Sequence, residues 1–436
     1  MQNRCGVMRI LYIVDARSPF ARNWMQYFVD RGDEVHVVST VDTQPFTEGL
    51  ATFQVLPIAL GKLVGSAAHR PNQERISAWT RVKRSVATQL SPYRSLLSAY
   101  DVYRHAGRLG GMIREIRPDL VHAMRFPFEV VLAAAALGDR HQPLVASVWG
   151  NDFTLHATRS RKVAHMYRRA MARVDALHPD CERDLRIAGY FGWTGQKHSF
   201  VLPGGGGVQR PIFRPGDRDK LLMRELGLST EHIVAINPRG IRPYVPTESV
   251  FRAVARISSI QPRFVLLAAA TAEEPLARHW VRKLHIEDHV RLLPSVDRLA
   301  MARYMRLANI VLSPSTHDGT PNSLIESIAC GCFPVVGDVV AVREWIVDGA
   351  NGLVCDATSV ESIVNAVLTA ISDRDLQESA LKINQSMVDE RADYEVVMHK
   401  AALMYSTVLG ELVDGASHIL KSVWDDSRSS TKSHAA

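Results

Sequence analysis

The residues best suited to chemistry lie in the segment Ser313–Glu326. It holds two carboxylates, Asp318 and Glu326, on either side of a turn through Gly319. An apolar run precedes the turn and Pro321 follows it, and proline is well suited to the first turn of a helix. The free N–H groups of a first helical turn form an anion site suited to a phosphate. Carboxylates accept pairs of hydroxyl hydrogen bonds, so the segment is suited to a sugar or ribose that carries phosphate.

The elements that must position these residues follow one alternating pattern along the chain. Short β-branched runs alternate with longer amphipathic segments, which is typical of parallel sheets with crossover helices. The predicted strands are Arg9–Val14, Glu34–Ser39, Leu120–Ala123, Leu144–Val148, Phe200–Leu202, His232–Asn237, Phe264–Ala269, Val290–Leu292, Asn309–Ser313, Phe333–Val336 and Gly352–Cys355. The predicted helices are Pro19–Arg31, Ser77–Ile116 with a break near Pro92, Asn322–Cys330, Val360–Ser372 and Ala392–Leu412.

A run of four glycines, Gly204–Gly207, separates two stretches of this alternating pattern. Such a run is a strong linker signal, because glycine disfavours both helix and strand. With 436 residues the chain suits two or three domains. We predict an α/β fold of two doubly wound units facing a central cleft, at residues 1–203 and 204–391. A helix at 392–416 could cross back over the first domain, and a flexible polar tail occupies 417–436. The glycine hinge would let the cleft close over a substrate.

Two further motifs extend the pattern around Asp318–Glu326. They are Ala329-Cys330-Gly331-Cys332-Phe333-Pro334-Val335-Val336 and Glu344-Trp345-Ile346-Val347-Asp348-Gly349-Ala350-Asn351-Gly352-Leu353. Together the three resemble the donor site of GT-B glycosyltransferases, in particular the retaining, GT4-type "group 1" family. One extra residue between Gly331 and Pro334 is a small departure from that family.

This resemblance implies roles for individual residues. Glu326 should bind the ribose hydroxyls of a nucleotide, and Asp318, one methylene shorter than the family's commoner Glu, should hold hydroxyls of the transferred sugar. The base should lie against Leu293–Asp297, with Leu293 and Val296 as contacts. The backbone that faces the diphosphate or sugar is formed by Gly319, Thr320, Pro321, Asn322 and Ser323.

The cationic part of the implied site departs from the family. The resemblance assigns the leaving diphosphate to an Arg and to a Lys five positions later. Here the Arg is Arg239, but Tyr244 stands in the place of the Lys. Arg242 could supply the missing charge, because its planar fork suits a phosphate; alternatively it is only a surface loop residue.

The acceptor side is less well marked. The loop after the first strand lacks the family's Gly-Gly pair, although Ser18 could still serve. Trp149 replaces a usual His, and Asp152 is either an acceptor contact or a helix cap. His122, at the end of a predicted strand, is either an active-site residue or a buried structural histidine.

Composition narrows the class of protein. The formal net charge is +7, and basic residues cluster in Lys62–Arg117 and Arg159–Arg173. Each cluster is either a solvated helix face or a contact with an anionic membrane leaflet, worth roughly 1 kcal/mol per basic residue. Nucleic acid is a weaker choice, since no recognition pattern accompanies the charge. No apolar run approaches a membrane span, no secretory signal is evident, and five unpatterned cysteines indicate reduced thiols.

From these observations we expect a cytoplasmic hexosyltransferase-type enzyme, with peripheral contact at the inner face of the membrane as a further expectation. It would move a sugar, with retention, from a nucleotide-diphosphate sugar to a glycan, lipid-linked or other hydroxyl acceptor in polysaccharide or glycolipid synthesis. By the resemblance, neither a metal nor a cofactor is required. A non-catalytic GT-B scaffold and a nucleotide-sugar epimerase stay open, as do the donor base, the sugar, the acceptor, the linkage and the oligomeric state.

Overall fold

The computed structural model describes residues 6–58, 91–156, 161–195 and 197–410, with the backbone alone for 91–100 and 156. Its strands are β1 (Arg9–Val14), β2 (Glu34–Ser39), β3 (Thr52–Val55), β4 (Leu120–Met124), β5 (Leu144–Val148), β6 (Ala176–Pro179), β7 (His198–Ser199), β8 (Ile233–Asn237), β9 (Phe264–Ala268), β10 (Val290–Leu292), β11 (Ile310–Ser313), β12 (Phe333–Gly337) and β13 (Leu353–Cys355).

Thirteen α-helices lie in the described part of the chain. They are α1 (Pro19–Arg31), α2 (Ser91–Ile116), α3 (Phe128–Leu137), α4 (Arg161–Arg173), α5 (Glu182–Ala188), α6 (Lys220–Glu225), α7 (Thr247–Ile260), α8 (Pro275–Leu284), α9 (Arg298–Leu307), α10 (Asn322–Ala329), α11 (Val360–Ser372), α12 (Arg374–Arg391) and α13 (Tyr394–Leu409). Among these residues, no helix combines the length and the apolar character that a membrane span requires.

The strands form two separate parallel sheets. The first has the order β3-β2-β1-β4-β5-β6-β7 and the second β10-β9-β8-β11-β12-β13. In β1, β4 and β5 nearly every residue is buried, because helices cover both faces of a parallel sheet. The predicted fold class, two doubly wound units, is confirmed. In each sheet the order reverses beside the first strand of the unit, which is where open α/β sheets bind ligands.

Local signals account for the helix that follows β1. Ser18 is the N-cap of α1 and accepts the N–H of Ala21, while Pro19 occupies the first turn. Gly32 ends the helix in the left-handed conformation, with φ of 90°. Sequence and structure therefore agree at both ends of this element.

The glycine run is not an exposed linker. Gly204, Gly205 and Gly206 are buried, and a Cβ at Gly204 would lie 2.7 Å from the ring of Trp149. Val208 pairs with the chain before α13: its N–H donates to Ala392 O at 2.6 Å, and its carbonyl accepts the N–H of Tyr394 at 3.0 Å. The glycines serve close packing here, and two adjacent chain segments cross between the domains.

Helix α13, the last helix of the described chain, lies against the first sheet. The hydroxyl of Tyr405 lies 3.0 Å from Trp24 Nε1, 3.2 Å from the Tyr12 hydroxyl and 2.5 Å from His122 Nδ1. Tyr405 and Phe28 stack with ring centroids 4.7 Å apart. Helix α13 thus completes the core of the first domain.

One predicted element differs from the structure, and two strands were missed. The predicted strand Phe200–Leu202 is wrong: the β7 pairing ends at Ser199 and the chain continues beside β6 as irregular backbone. The short strands β3 and β6 were not predicted. The predicted helix Ser77–Ile116 is described only from Ser91, and the basic residues from Lys62 to Arg84 lie outside the described residues, as do Arg159 and the tail.

Candidate functional site

Asp318 and Arg239 form a buried ion pair at the carboxyl ends of the second sheet. Arg239 follows β8, and Asp318 lies between β11 and α10. Arg239 Nη1 lies 2.5 Å from Asp318 Oδ2, and the two side chains are 14% and 8% exposed. Burial raises the pKa of Asp318, while Arg239 and the hydroxyl of Ser315 oppose the shift. The predicted phosphate cation and the predicted sugar-binding carboxylate therefore neutralise each other in this structure.

Tyr244, which stands in the place of the family's Lys, also contacts Arg239. Its hydroxyl accepts from Arg239 Nη2 at 3.1 Å, and the guanidinium carbon lies 5.4 Å from the ring centroid. The tyrosine orients Arg239 but brings no positive charge of its own. Arg242 is exposed, and its Nη1 donates to the carbonyl of Ile241 at 3.2 Å.

Glu326, in the second turn of α10, has an arginine partner of its own. Arg298 Nη2 lies 3.1 Å from Glu326 Oε1, and Arg298 Nη1 donates to Gln209 Oε1 at 3.0 Å. The glutamate side chain is 12% exposed, and burial raises its pKa to about 7 although Arg298 opposes the shift. Each motif carboxylate is thus paired with one arginine of the second domain.

The first domain closes directly over the turn before α10. A Cβ at Gly319 would lie 2.5 Å from Gly150 Cα and 2.6 Å from Asp180 Oδ1, so only glycine fits. Thr320 and Pro321 are buried as well, whereas Asn322 and Ser323 are half-buried. The turn therefore faces the first domain, and the first turn of α10 keeps part of its surface open.

Asp152 does not offer its carboxylate to the cleft, which corrects the prediction of an acceptor contact. Its side chain is fully buried. Arg125 Nη2 lies 2.6 Å from its Oδ1, and the N–H of Trp149 donates to its Oδ2 at 3.0 Å. Arg125 has a φ of 97° and is 41% exposed. The arginine, held by Asp152, is the group that reaches solvent.

His122 is likewise a structural residue, and its predicted acceptor role is wrong. Its side chain is fully buried, with Nε2 2.8 Å from the hydroxyl of Ser147 and Nδ1 against Tyr405. Burial and the neighbouring His178 lower its pKa well below the ordinary value. Helix α13 covers His122, and this contact could not be predicted from the sequence around His122.

The remaining predicted contact residues are packed in the interior, cap a helix or are half-buried. Leu293 is 3% exposed and belongs to the core of the second domain, so its side chain does not face a base; Val296 nearby is half-buried. The Ser18 hydroxyl caps α1. Trp149 packs against Gly204, and its Nε1 is buried without a hydrogen-bond partner.

Sequence reasoning missed several residues of this cleft. Arg298 begins α9 directly after the predicted base-binding loop, so a cation there could have been suspected from its position. Arg183 and Asp180 contact the second domain only across the interface and carry no local signal. Glu344 lies in a quoted motif, but its contact with the first domain could not be read from the sequence. Asp180, Cys181 and Asp184 offer ligand atoms within 4.8 Å of one another, the one such group among the described residues. The guanidinium of Arg183 already binds Asp184 there.

Comparisons with known proteins agree with this geometry. Residues 220–387 match the family "Glycosyl transferases group 1", and residues 95–180 match "Glycosyl transferase 4-like". A D-inositol 3-phosphate glycosyltransferase of Geodermatophilus obscurus is 26% identical over 64% of this chain and 60% of its own length. One of the same description from Kineococcus radiotolerans is 25% identical over 78% of this chain and 75% of its own.

The chain spans about three fifths of the length of the curated relatives that it matches first. The crystal structure of Anabaena Alr3699/HepE in complex with UDP has a TM-score of 0.70 at 15% identity, covering 92% of this chain and 100% of that one, a likeness that shows the fold. Both halves of the chain thus match glycosyltransferase families, and the paired carboxylates lie in the group 1 match, which includes α10. The chain therefore has the GT-B fold, and its second domain matches the group 1 glycosyltransferases over residues 220–387.

Proposed function

We propose that the protein transfers a sugar from a nucleoside-diphosphate sugar to a hydroxyl acceptor, with retention of the anomeric configuration. The observation that carries the proposal is the arrangement around α10. Two carboxylates, Asp318 and Glu326, flank the first helical turn, and Arg239 lies 2.5 Å from the first of them. A phosphate, a sugar and a ribose need this combination of anion site, cation and hydroxyl acceptors.

Donor binding would exchange the partners of Arg239. A diphosphate carries more negative charge than one carboxylate, so it would compete with Asp318 for the guanidinium. Asp318 would then be free to accept hydroxyl hydrogen bonds from the transferred sugar. Glu326, whose partner Arg298 holds it through one oxygen at 3.1 Å, would accept the ribose hydroxyls with the other.

The chemistry would be mainly electrostatic stabilisation of the leaving phosphate. Arg239 and the N–H groups of the first turn of α10 would face the developing negative charge, and closure of the cleft over the substrates would exclude water. We propose front-face departure and attack, in which the leaving phosphate takes the proton of the acceptor hydroxyl. Arg242, exposed on the same loop as Tyr244, is our candidate for the second cation. Loss of donor affinity in Arg242→Ala, with Arg256→Ala as surface control, would support that assignment.

A ligand-stabilisation screen tests the donor half of the proposal. UDP-, GDP-, ADP- and TDP-sugars should be compared, because a bound donor raises the melting temperature by mass action. We expect one nucleotide class to stabilise the wild type and to lose its effect in Glu326→Ala. Glu231→Ala, whose side chain is 67% exposed on the same domain, is the matched control. No stabilisation of the wild type by any donor would refute the proposal.

A turnover measurement separates the enzyme from a non-catalytic scaffold. Sugar transfer, or slow release of free sugar from the stabilising donor, should disappear in Glu326→Ala. Nucleotide binding without either reaction would favour the scaffold. Conversion of the donor into an isomer without any transfer product would favour an epimerase.

We further propose that the acceptor is a lipid-linked or polysaccharide substrate at an anionic membrane surface. Helix α4 contains no acid and exposes Arg161, Lys162, Arg168 and Arg169 on one face. The guanidinium of Arg169 lies 6.0 Å from the ring centroid of Tyr103, so α2 adjoins this face. Basic side chains of this kind are attracted to anionic headgroups.

Vesicle binding tests this surface. Arg168→Ser/Arg169→Ser should weaken binding to anionic vesicles roughly 30-fold, at roughly 1 kcal/mol per charge, and salt should weaken the wild type similarly. Arg278→Ser/Arg282→Ser removes the same charge from α8 in the second domain and should have little effect. Equal losses in both variants, or binding that is insensitive to salt, would contradict the proposal.

A further inference from the structure

One buried arginine connects the loops that face each other across the cleft. Arg183, the second residue of α5, donates to the carbonyl of Asp318 in the second domain. It also donates to the carbonyl of Gly150 in the first domain at 2.7 Å, and it pairs with Asp184 at 2.9 Å and 3.0 Å. Arg183 and Asp184 have side chains 11% and 0% exposed. A single guanidinium thus binds the donor-side loop and the acceptor-side loop at once.

The second domain in turn holds the helix that carries this arginine. The carboxylate of Glu344 accepts the N–H groups of Glu182 and Arg183, both at 2.8 Å. These are first-turn N–H groups of α5, which have no acceptor within their own helix. A carboxylate at this end also suits the helix dipole. The cap comes from the other domain, so it forms only when the domains meet.

The contact that these bonds maintain tolerates little displacement. Gly319 and Gly150 approach so closely that no Cβ fits at Gly319. The hydroxyl of Thr320 donates to the carbonyl of Asp180, and Trp345 Nε1 lies 3.2 Å from that hydroxyl. A shift of one loop against the other would break several of these bonds together.

We propose that Arg183 is a positioning residue that aligns the acceptor-side loop at Gly150 with the donor-side loop at Asp318 when the cleft closes. This inference rests on the proposed function, since it assigns a donor and an acceptor to the two loops. Arg183 touches the backbone beside Asp318 and not the carboxylate itself. Its removal therefore leaves Asp318, Glu326 and Arg239 in place but uncouples their loop from the first domain.

The reason for an arginine is geometric. Its planar fork offers five N–H donors, which here serve two carbonyls and one carboxylate simultaneously. A lysine keeps the charge beside Asp184 but cannot bond all three acceptors in this arrangement. Glutamine removes the charge and leaves Asp184 buried without its partner. Arg183→Lys should therefore retain more of the alignment than Arg183→Gln.

Hydrogen exchange followed by mass spectrometry tests the alignment without any ligand. In Arg183→Gln, we expect exchange in residues 149–152 and 316–323 to accelerate roughly tenfold or more, because hydrogen bonds to charged groups contribute about 1.5–3 kcal/mol. Arg114→Gln is the control, since Arg114 is an exposed arginine on α2 of the same domain. Exchange in strands β4 and β5 should stay unchanged. Unchanged loops, or acceleration spread over the whole first sheet, would overturn the inference.

A binding and turnover comparison connects the alignment to function. A panel of UDP, GDP, ADP and TDP should bind Arg183→Gln within about twofold of the wild type, because the donor side chains all belong to the second domain. Release of sugar from the matching nucleotide sugar should fall roughly 10- to 100-fold in kcat with little change in KM, and Arg183→Lys should recover part of it.

The outcomes separate the two proposals. A wild type that binds none of the four nucleotides would refute the proposed function, while the exchange experiment would still decide whether Arg183 couples the loops. A variant that loses nucleotide affinity along with kcat would overturn the positioning role and leave the donor site standing.

Discussion

Replacement of Arg239 by Gln tests two contributions of this arginine: it stabilises the fold by pairing with Asp318, and it is proposed to bind the donor phosphate. The pair is buried, with side chains 14% and 8% exposed. Arg239→Gln would leave the carboxylate of Asp318 without its cation, and removal of one partner from a buried pair costs about 3–5 kcal/mol. We therefore expect the substitution to lower the free energy of unfolding of the second domain.

Protonation of Asp318 limits that loss and makes it depend on pH. The protonation of an aspartate of ordinary pKa, about 3.9, costs about 4 kcal/mol at pH 7 and about 1.5 kcal/mol at pH 5. Burial already raises the pKa of Asp318, and removal of Arg239 raises it further. A raised carboxyl pKa penalises the charged form, so stability is retained at low pH and lost as pH rises. We expect a loss of about 3–4 kcal/mol at pH 7 and about 1.5 kcal/mol at pH 5.

Urea unfolding at the two pH values measures this difference. The double variant Arg239→Gln/Asp318→Asn removes the unpaired charge and should recover most of the stability at pH 7. It should not recover stabilisation by nucleotide, since the phosphate cation is still missing. Arg263→Gln breaks an exposed pair with Glu231 and should change little. An equal loss at both pH values, or a double variant no more stable than the single one, would refute the reasoning.

Three other changes probe separate parts of the structure. Glu326 has a pKa of about 7, and its ionised form accepts ribose hydroxyls, so nucleotide affinity measured by calorimetry should rise between about pH 6 and pH 8; Glu326→Gln should flatten this profile, and an unchanged profile would contradict the assignment. Tyr244→Lys adds a second cation beside Arg239 and should raise nucleoside-diphosphate affinity roughly tenfold, whereas unchanged affinity would place the phosphate elsewhere. Tyr405→Phe removes the hydroxyl shared by three buried side chains and should cost about 1–3 kcal/mol in thermal unfolding without affecting nucleotide affinity; Tyr190→Phe, at a residue that is 76% exposed, is its control.

The fold was largely predictable because its signals are local. Ten of the eleven predicted strands agree with the structure within one residue at each end, among them β1, β2 and β5. Their β-branched runs are buried on both faces, a demand of parallel sheets that the sequence records directly. The strands β3 and β6 were missed because β3 is half-buried at a sheet edge and β6 is four residues long. Such elements depend on neighbours that a local pattern does not include.

In the candidate site, too, the features within one chain segment were predictable and the contacts between distant segments were not. Asp318, Gly319 and Glu326 were recognisable because one strand–turn–helix holds them in a single stretch of sequence. Their pairing with Arg239 and Arg298 was not, since Arg239 follows β8 and Arg298 begins α9, elsewhere in the sequence. His122 and Asp152 illustrate the converse. His122 lies near a strand end and Asp152 in a loop that the resemblance marks, which suggested a role in the cleft. In the structure Tyr405 and Arg125 occupy their polar atoms.

The sequence by itself therefore determined the two α/β units and the donor-side motif, because spacing along one chain segment fixes both. Only the tertiary structure decided which arginines pair with the carboxylates of that motif and which residues of the first domain contact it. The glycine run shows the difference most plainly. In the sequence it signals a flexible hinge, whereas in the structure it is a buried crossing where Trp149 leaves no room for a side chain. Glycine permits both flexibility and close approach, and its surroundings determine which of the two applies.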